Sequence, residues 1–500
     1  MKSRLLAVVA GASIAFIFPS IAPAAPDDWA EGSAGHNDGA TRKFYNAGAQ
    51  LLWRNPEGDW RDADGVPQGP KPFAVAAIDK TEQPGLVEWD ATAVAREWAS
   101  GKSRHKGLLL RNTKGGGSYI FHSREATEPA HRPRLLIVVD GHTQTLDAVA
   151  DTYLDRSTYR ALGNSTSLKV DGSLPALVRF DFSSIKPADK IDRATLKLTA
   201  SQIQSAGEVG LYLCDQGEKI EPMEPISGIA ANYPGDEGIE KDADVLFATG
   251  FEADDWKKQW SSVGGKVETI TADPNNKFEP LTGKACRAFL GKGELTAMNQ
   301  TYQFRRQNGS EPEEVYFRYY LRLGDDWRPT LEGGKMPGIS GTYGRAGWGG
   351  RKVDGRNGWS ARGAFRTTLP EGNPLSGKQP LGFYCYHADM PGTYGDIWLW
   401  TKGYRGFLDN NRWYCIEQYV KLNTPGKDGS PGTHDGILRV WVDGRPAFEK
   451  TDLRFRDVNT LKVEQIWMNV YHGGTRPSPT DQHLYVDNVV VARKYIGPKK

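Results

Sequence analysis

From about Ala40 to Glu218 the chain alternates short apolar runs with clusters of Gly, Pro, Asn and Asp. Leu108-Leu109-Leu110, Leu135-Leu136-Ile137-Val138-Val139, Leu177-Val178-Arg179-Phe180-Asp181-Phe182 and Thr195-Leu196-Lys197-Leu198 have the length and the flanking turn residues of sandwich strands. One helix is predicted among them. Asp90 can cap a run from Ala91 to Ser100, and Gly101 can end it in a left-handed conformation. A second β-rich block opens at Val245-Leu246-Phe247-Ala248 and runs to residue 500, with Leu484 to Val491 as its last strand. Tyr316 to Leu323 and Ile437 to Val442 alternate with period two, and the latter runs into Asp443-Gly444, a strong hairpin turn.

The pattern predicts an all-β protein. Residues 27–218 read as a β-sandwich region, 245–500 as a two-sheet β-jelly roll of the concanavalin-like kind, and 219–244 as a linker rich in Pro, Gly and acids. No Gly-x-Gly-x-x-Gly opens a helix, which argues against a dinucleotide enzyme. Lys2 and Arg4, the uncharged run from Leu5 to Phe18 and Ala22-Pro23-Ala24 read as a signal peptide over 1–24. The expectation is a secreted or periplasmic protein without stable membrane insertion, because the apolar run is shorter than the ~20 residues that span a bilayer.

Composition narrows the chemistry. With 63 Lys+Arg against 61 Asp+Glu, a general nucleic-acid surface is not expected. Four scattered Cys and no Cys-x-x-Cys argue against a zinc, iron–sulfur or disulfide framework. The 15 Trp and 20 Tyr suggest surfaces that stack on sugars. No Gly-x-Ser-x-Gly or His-Glu-x-x-His occurs, and Glu417 is the first acidic candidate for glycoside hydrolysis. Charge is concentrated in one place. Between Lys335 and Arg366 seven basic residues face one acid, Asp354, interleaved with nine glycines and with Tyr343, Trp348, Trp359 and Phe365. A local cationic patch in a neutral protein suits a polyanion groove.

Two resemblances follow. Trp89-Asp90-Ala91-Thr92, Gly107 to Arg111, Ser123-Arg124-Glu125-Ala126 and Arg132-Pro133-Arg134-Leu135 resemble the second half of DNRLRE-type jelly-roll modules, which are similar to alginate-binding modules of polysaccharide lyases. Ala150 to Leu154, Leu177 to Ile185 and Ala194 to Leu198 resemble the first half, so the region is either one permuted module or two divergent ones. In the second block, Gly333 to Gly338, Gly358-Trp359-Ser360-Ala361-Arg362, Phe383-Tyr384-Cys385-Tyr386 and Trp413 to Gln418 resemble, in order, motifs of polysaccharide lyase family 14, the alginate and glucuronan lyases.

That resemblance implies β-elimination on an acidic uronate polymer, alginate first and glucuronan next, by a monomer that needs no cofactor. The implied catalytic residues are Lys335, Arg362, Tyr384 and Tyr386, with Ser360, Arg366 and Trp359 binding substrate. Strand parity puts Ser360 with Arg362 and Tyr384 with Tyr386 on shared faces. Arg362 and Lys335 suit neutralisation of the substrate carboxylate. Either tyrosine, its phenolate favoured by nearby cations, or Lys335 can serve as the base. Cys385 is expected in the core and Cys415 away from it, which disfavours their pairing. The competing readings are a non-catalytic lectin-like binder and a glycoside hydrolase on the same jelly roll.

Overall fold

The computed structural model describes residues 27–32, 37–79, 85–114, 116–155, 160–172, 174–187, 189–215, 224–329 and 332–500. The segment read as a signal peptide and residues 219–223 of the predicted linker lie outside them. Every strand pairing among the described residues is antiparallel, as the turn-rich pattern requires.

The N-terminal region closes around one core. Two long strands, His142–Tyr153 and Ile191–Ser205, each change partner along their length. The first pairs with Arg134–Val139 through its N-terminal half and with Ala176–Phe180 through the rest. The second passes from Arg134–Val139 to Ser118–His122. Such strand switching folds a continuous ladder over itself, around Trp89, Leu108, Leu110, Ile137, Val178, Leu196 and Leu211. Residues from both halves of the permuted pattern share this core. The helix runs Thr92–Ala99, with the Thr92 N–H donating to Asp90 Oδ1 at 2.9 Å and Gly101 at φ +70°.

Two eight-stranded sheets form the C-terminal region. In one, Gln482–Ala492, Glu314–Leu323, Trp413–Lys421 and Gly436–Val442 lie side by side. In the other, the order is Thr296–Gln303, Gln465–His472, Gly334–Gly341, Trp359–Phe365, Gln379–Tyr386 and Asp396–Leu399. Alternate residues fill the space between them: Val315, Phe317, Tyr319 and Ile416 from one side, Trp359, Ala361, Phe383, Cys385, Ile466 and Met468 from the other. Asp443 and Gly444, both with positive φ, make the predicted hairpin turn.

Residues 224–244 are no free tether. Ile229 and Ile239 pack with Val490 and Ile496, and the Ile229 and Ala230 N–H groups donate to Tyr495 and Ile496 carbonyls. Asp236 forms a two-pronged ion pair with the wholly buried Arg318. The Pro/Gly-rich composition reflects tight 3-10 turns laid on the outer face of a sheet.

The N-terminal segment is wedged between the two regions. Trp29, Tyr45, Leu51 and Trp53 share a cluster with Leu109, Leu177 and Tyr212 of the module and Leu369, Leu399, Tyr404 and Phe407 of the jelly roll. The Tyr45 and Tyr404 hydroxyls lie 2.8 Å apart, and Asn46 and Asn373 exchange amide hydrogen bonds of 3.0 and 3.1 Å. Ten of the 15 Trp are buried, so most of this aromatic content is structural.

Candidate active site

The Gly334–Gly341 strand carries a β-bulge between Lys335 and Gly338. Strict alternation would send Met336 and Ile339 to opposite faces. The bulge absorbs one residue, so both enter the core while Lys335 faces out. Pro337, which cannot donate to a ladder, sits at the bulge, and its carbonyl accepts from Gln418 Nε2 at 2.8 Å. Gly338 is needed for the approach of the next strand, because a Cβ there would lie 2.4 Å from the Arg362 Cα.

Around Lys335 three further strands contribute. Arg362 pairs directly with Tyr384, Ser360 with Tyr386, and Lys335 with Tyr471. The Lys335 ammonium sits 4.6 Å from the Tyr384 ring centre and 5.7 Å from that of Tyr471, and donates to the Gly473 carbonyl at 3.2 Å. The Arg362 guanidinium lies between Trp467 and Tyr384, at 4.6 and 5.7 Å, and donates to Asn469 Oδ1 at 3.2 Å. Neither cation has a carboxylate within 4.0 Å among the described residues. Arg366 is exposed beside Lys335.

Electrostatics separates the candidate bases. Burial, then the charges of Arg362 and Arg366, push the Lys335 ammonium down to about 8. Burial lowers Arg362 to about 10, which leaves it cationic at neutral pH. The Tyr384 phenol moves the other way. Desolvation and the Tyr386 hydroxyl, 3.3 Å away, outweigh the pull of Arg362 and raise it above its ordinary value. The expectation that nearby cations favour its phenolate is therefore corrected.

Other expected residues take structural positions. Trp359 is fully buried in the inter-sheet core, its indole N–H donating to the Lys462 carbonyl at 3.0 Å, so it cannot bind substrate. Ser360 is also buried and donates to the Gly347 carbonyl at 2.6 Å, tying down the basic loop. Tyr386 is fully buried and accepts the Gly350 N–H at 3.1 Å, so it positions Tyr384 from beneath that loop. Glu417 lies on the far face of the other sheet, its carboxylate accepting the Ile496 and Gly497 N–H groups at 2.7 and 2.8 Å. Cys385 packs in the core; Cys415 is buried on that same far face, and neither forms a disulfide.

The motif reading missed Trp467, Asn469 and Tyr471. Their signal was plain period-two alternation in Gln465–His472, where Ile466, Met468 and Val470 enter the core and the three polar-edged residues line the site.

Residues 284–489 match the polysaccharide lyase 14 family. The C-terminal half carries a polysaccharide lyase domain. Residues 36–137 match the disaggregatase related repeat domain, where the sequence had suggested DNRLRE-type modules. Comparison with the curated proteins returns no match. Among solved structures, the lyase domain is similar to an alginate lyase from Aplysia kurodai, with 18% identity, 51% of this chain and 100% of that one covered, and a TM-score of 0.38. It is also similar to an alginate lyase from a Chlorella virus, with 19% identity, coverage of 47% and 93%, and a TM-score of 0.36. An endo-β-1,4-glucuronan lyase from the fungus Trichoderma reesei gives 14% identity, coverage of 50% and 95%, and a TM-score of 0.33.

Proposed function

We propose that the lyase domain cleaves a uronate polymer by β-elimination, with alginate the first substrate and glucuronan the second. One observation carries this reading: Arg362 and Lys335 are partly or wholly desolvated cations with no carboxylate within 4.0 Å among the described residues. A sugar carboxylate supplies that missing charge, and its own neutralisation acidifies the adjacent C5 proton. Asn469 adds an amide beside Arg362.

Lys335 is the base in this scheme. With its ammonium pushed down to about 8, a useful fraction is free amine in mildly alkaline solution. The amine takes the C5 proton, the C–H electrons form the C4–C5 double bond, and the C4–O bond to the leaving sugar breaks. Tyr384, kept protonated by its surroundings, gives its proton to that leaving oxygen. Transfer of a proton from the Lys335 ammonium to the phenolate, across a site where nitrogen and ring are 4.6 Å apart, resets both groups. No cofactor enters these steps. The N-terminal module is proposed to hold the polysaccharide near the site, and the protein to act outside the cytoplasm once residues 1–24 are removed.

The test is a panel of polymannuronate, polyguluronate, glucuronan and a neutral glucan, read by ultraviolet absorbance of unsaturated ends and by product mass. Unsaturated products from an acidic member, lost in Lys335→Ala and reduced in Tyr384→Phe, are expected. Saturated products, or full rates in both folded variants, would overturn the reading.

A further inference from the structure

The N-terminal module holds a second cluster of charge, far along the chain from the lyase motifs. Glu31 belongs to the N-terminal segment, Glu125 to the turn after the Ser118–His122 strand, and Asp151 to the His142–Tyr153 strand. One carboxylate oxygen from each lies within 4.8 Å of the others. Two oxygens bound to one calcium ion at ~2.4 Å can be at most about 4.8 Å apart, so the spacing fits a shared ion.

Protein groups neutralise this cluster only in part. Arg124 grips Glu31 through Nε and Nη2 at 2.6 and 2.8 Å and approaches Glu125 Oε1 at 3.0 Å. One guanidinium in direct contact with these carboxylates leaves an excess of negative charge, which Arg179 offsets in part from farther away. Asp151 is fully buried. Its Oδ2 accepts the Arg124 N–H at 2.7 Å, but its Oδ1 has no hydrogen-bond partner among the described residues, and neither has the buried Oε2 of Glu125. Buried carboxylate oxygens left without donors are rare in folded proteins and call for an occupant.

We propose that Glu31, Glu125 and Asp151 bind one hard divalent cation, calcium in preference to softer metals, and so fasten the N-terminal segment to the sandwich. Three oxygen donors and no nitrogen or sulfur select a hard ion. Its positive charge offsets the negative excess left beside Arg124. Asp151 already donates its backbone N–H to Glu31 Oε1 at 2.8 Å, so the segment is poised against the strand. From Glu31 the chain leads into Tyr45, Asn46 and Gln50, which dock on the lyase domain, so the ion would brace that contact too. The competing occupant is a proton: burial and the neighbouring carboxylates raise the Asp151 carboxyl well above its ordinary value.

Calcium chloride titrated into the chelator-stripped full chain, followed by calorimetry and thermal unfolding, decides between them. One equivalent bound and a raised unfolding midpoint are expected, with binding at least tenfold weaker in Asp151→Asn and in Glu125→Gln. In chelator at neutral pH the Asp151→Asn protein should unfold at or above the wild-type midpoint, because the amide removes a repelled charge; this also controls for folding. Absence of any heat or shift with calcium or magnesium, with stability rising instead as the pH falls, would assign the site to a proton and overturn the proposal. Binding that survives both substitutions would overturn it as well.

Discussion

Arg362 lies across the face of Trp467, its guanidinium carbon 4.6 Å from the ring centre, and its side-chain partner is the neutral Asn469. An aromatic wall on one side and Tyr384 on the other strip water from the guanidinium without cancelling its charge. A desolvated cation held flat is preorganised to receive a planar carboxylate in two-pronged fashion. Lysine cannot reproduce that geometry, since its ammonium is a point charge on a flexible stem.

Arg362→Lys is therefore expected to lower kcat on uronan by about a hundredfold or more, the range for loss of one preorganised charge donor. Formation of unsaturated ends measures it, and circular dichroism checks that the sheet is intact. Trp467→Ala should raise KM more than it lowers kcat, because it removes the wall and leaves the cation.

The second prediction concerns pH. Lys335 must be a free amine to act, and its ammonium is pushed down to about 8, so kcat/KM should rise with pH and level off above that value. Arg366 is one of the two cations that lower it, and Glu332 opposes them. Removing a neighbouring positive charge stabilises the ammonium. Arg366→Ala should thus move the limb to higher pH, and Glu332→Gln should move it to lower pH. A limb that stays in place in both variants would exclude Lys335 as the base.

How far the sequence anticipates this site depends on the kind of signal. The proximity of Lys335, Arg362 and Tyr384 is legible because they sit in short motifs in a fixed order, and the all-β fold because alternation and turn residues recur throughout. The bulge at Lys335–Gly338 was not legible, since one absorbed residue changes no composition and simply inverts parity downstream. Trp359 was misjudged because its charged, glycine-rich neighbourhood suggested a surface, whereas its parity opposite Ser360 and Arg362 commits it to the core. The packing of residues 224–244 was invisible for a related reason: Asp236 acquires its partner, Arg318, only when distant strands meet.

Docking of the N-terminal segment supplies a third prediction. Asn46 and Asn373 satisfy each other's amides in a buried position, and Asn373 Oδ1 also accepts the Leu375 N–H, so truncating Asn373 leaves two donors, Asn46 Nδ2 and the Leu375 N–H, without their acceptor. Asn373→Ala should cost about 1–3 kcal/mol. Urea unfolding should register the loss, while kcat on short oligosaccharides stays near wild type because the site strands are untouched.

The fourth prediction lies on the sheet face away from the site. Glu417 is buried and holds the C-terminal segment through the Ile496 and Gly497 N–H groups. Burial outweighs those two bonds and the charge of Arg318, pushing its carboxyl up from an ordinary 4.5 to about 7. Between these values the unfolded chain has released the proton and the folded chain retains it. This group's contribution to stability therefore falls as pH rises from about 4.5 to about 7. Glu417→Gln cannot ionise, so its stability should be flatter than wild type across that window. It presents one amide N–H to a backbone donor, however, and should be less stable at the acid end by about 1–3 kcal/mol. Urea midpoints at a series of pH values measure both effects, and parallel curves for the two proteins would refute the assignment.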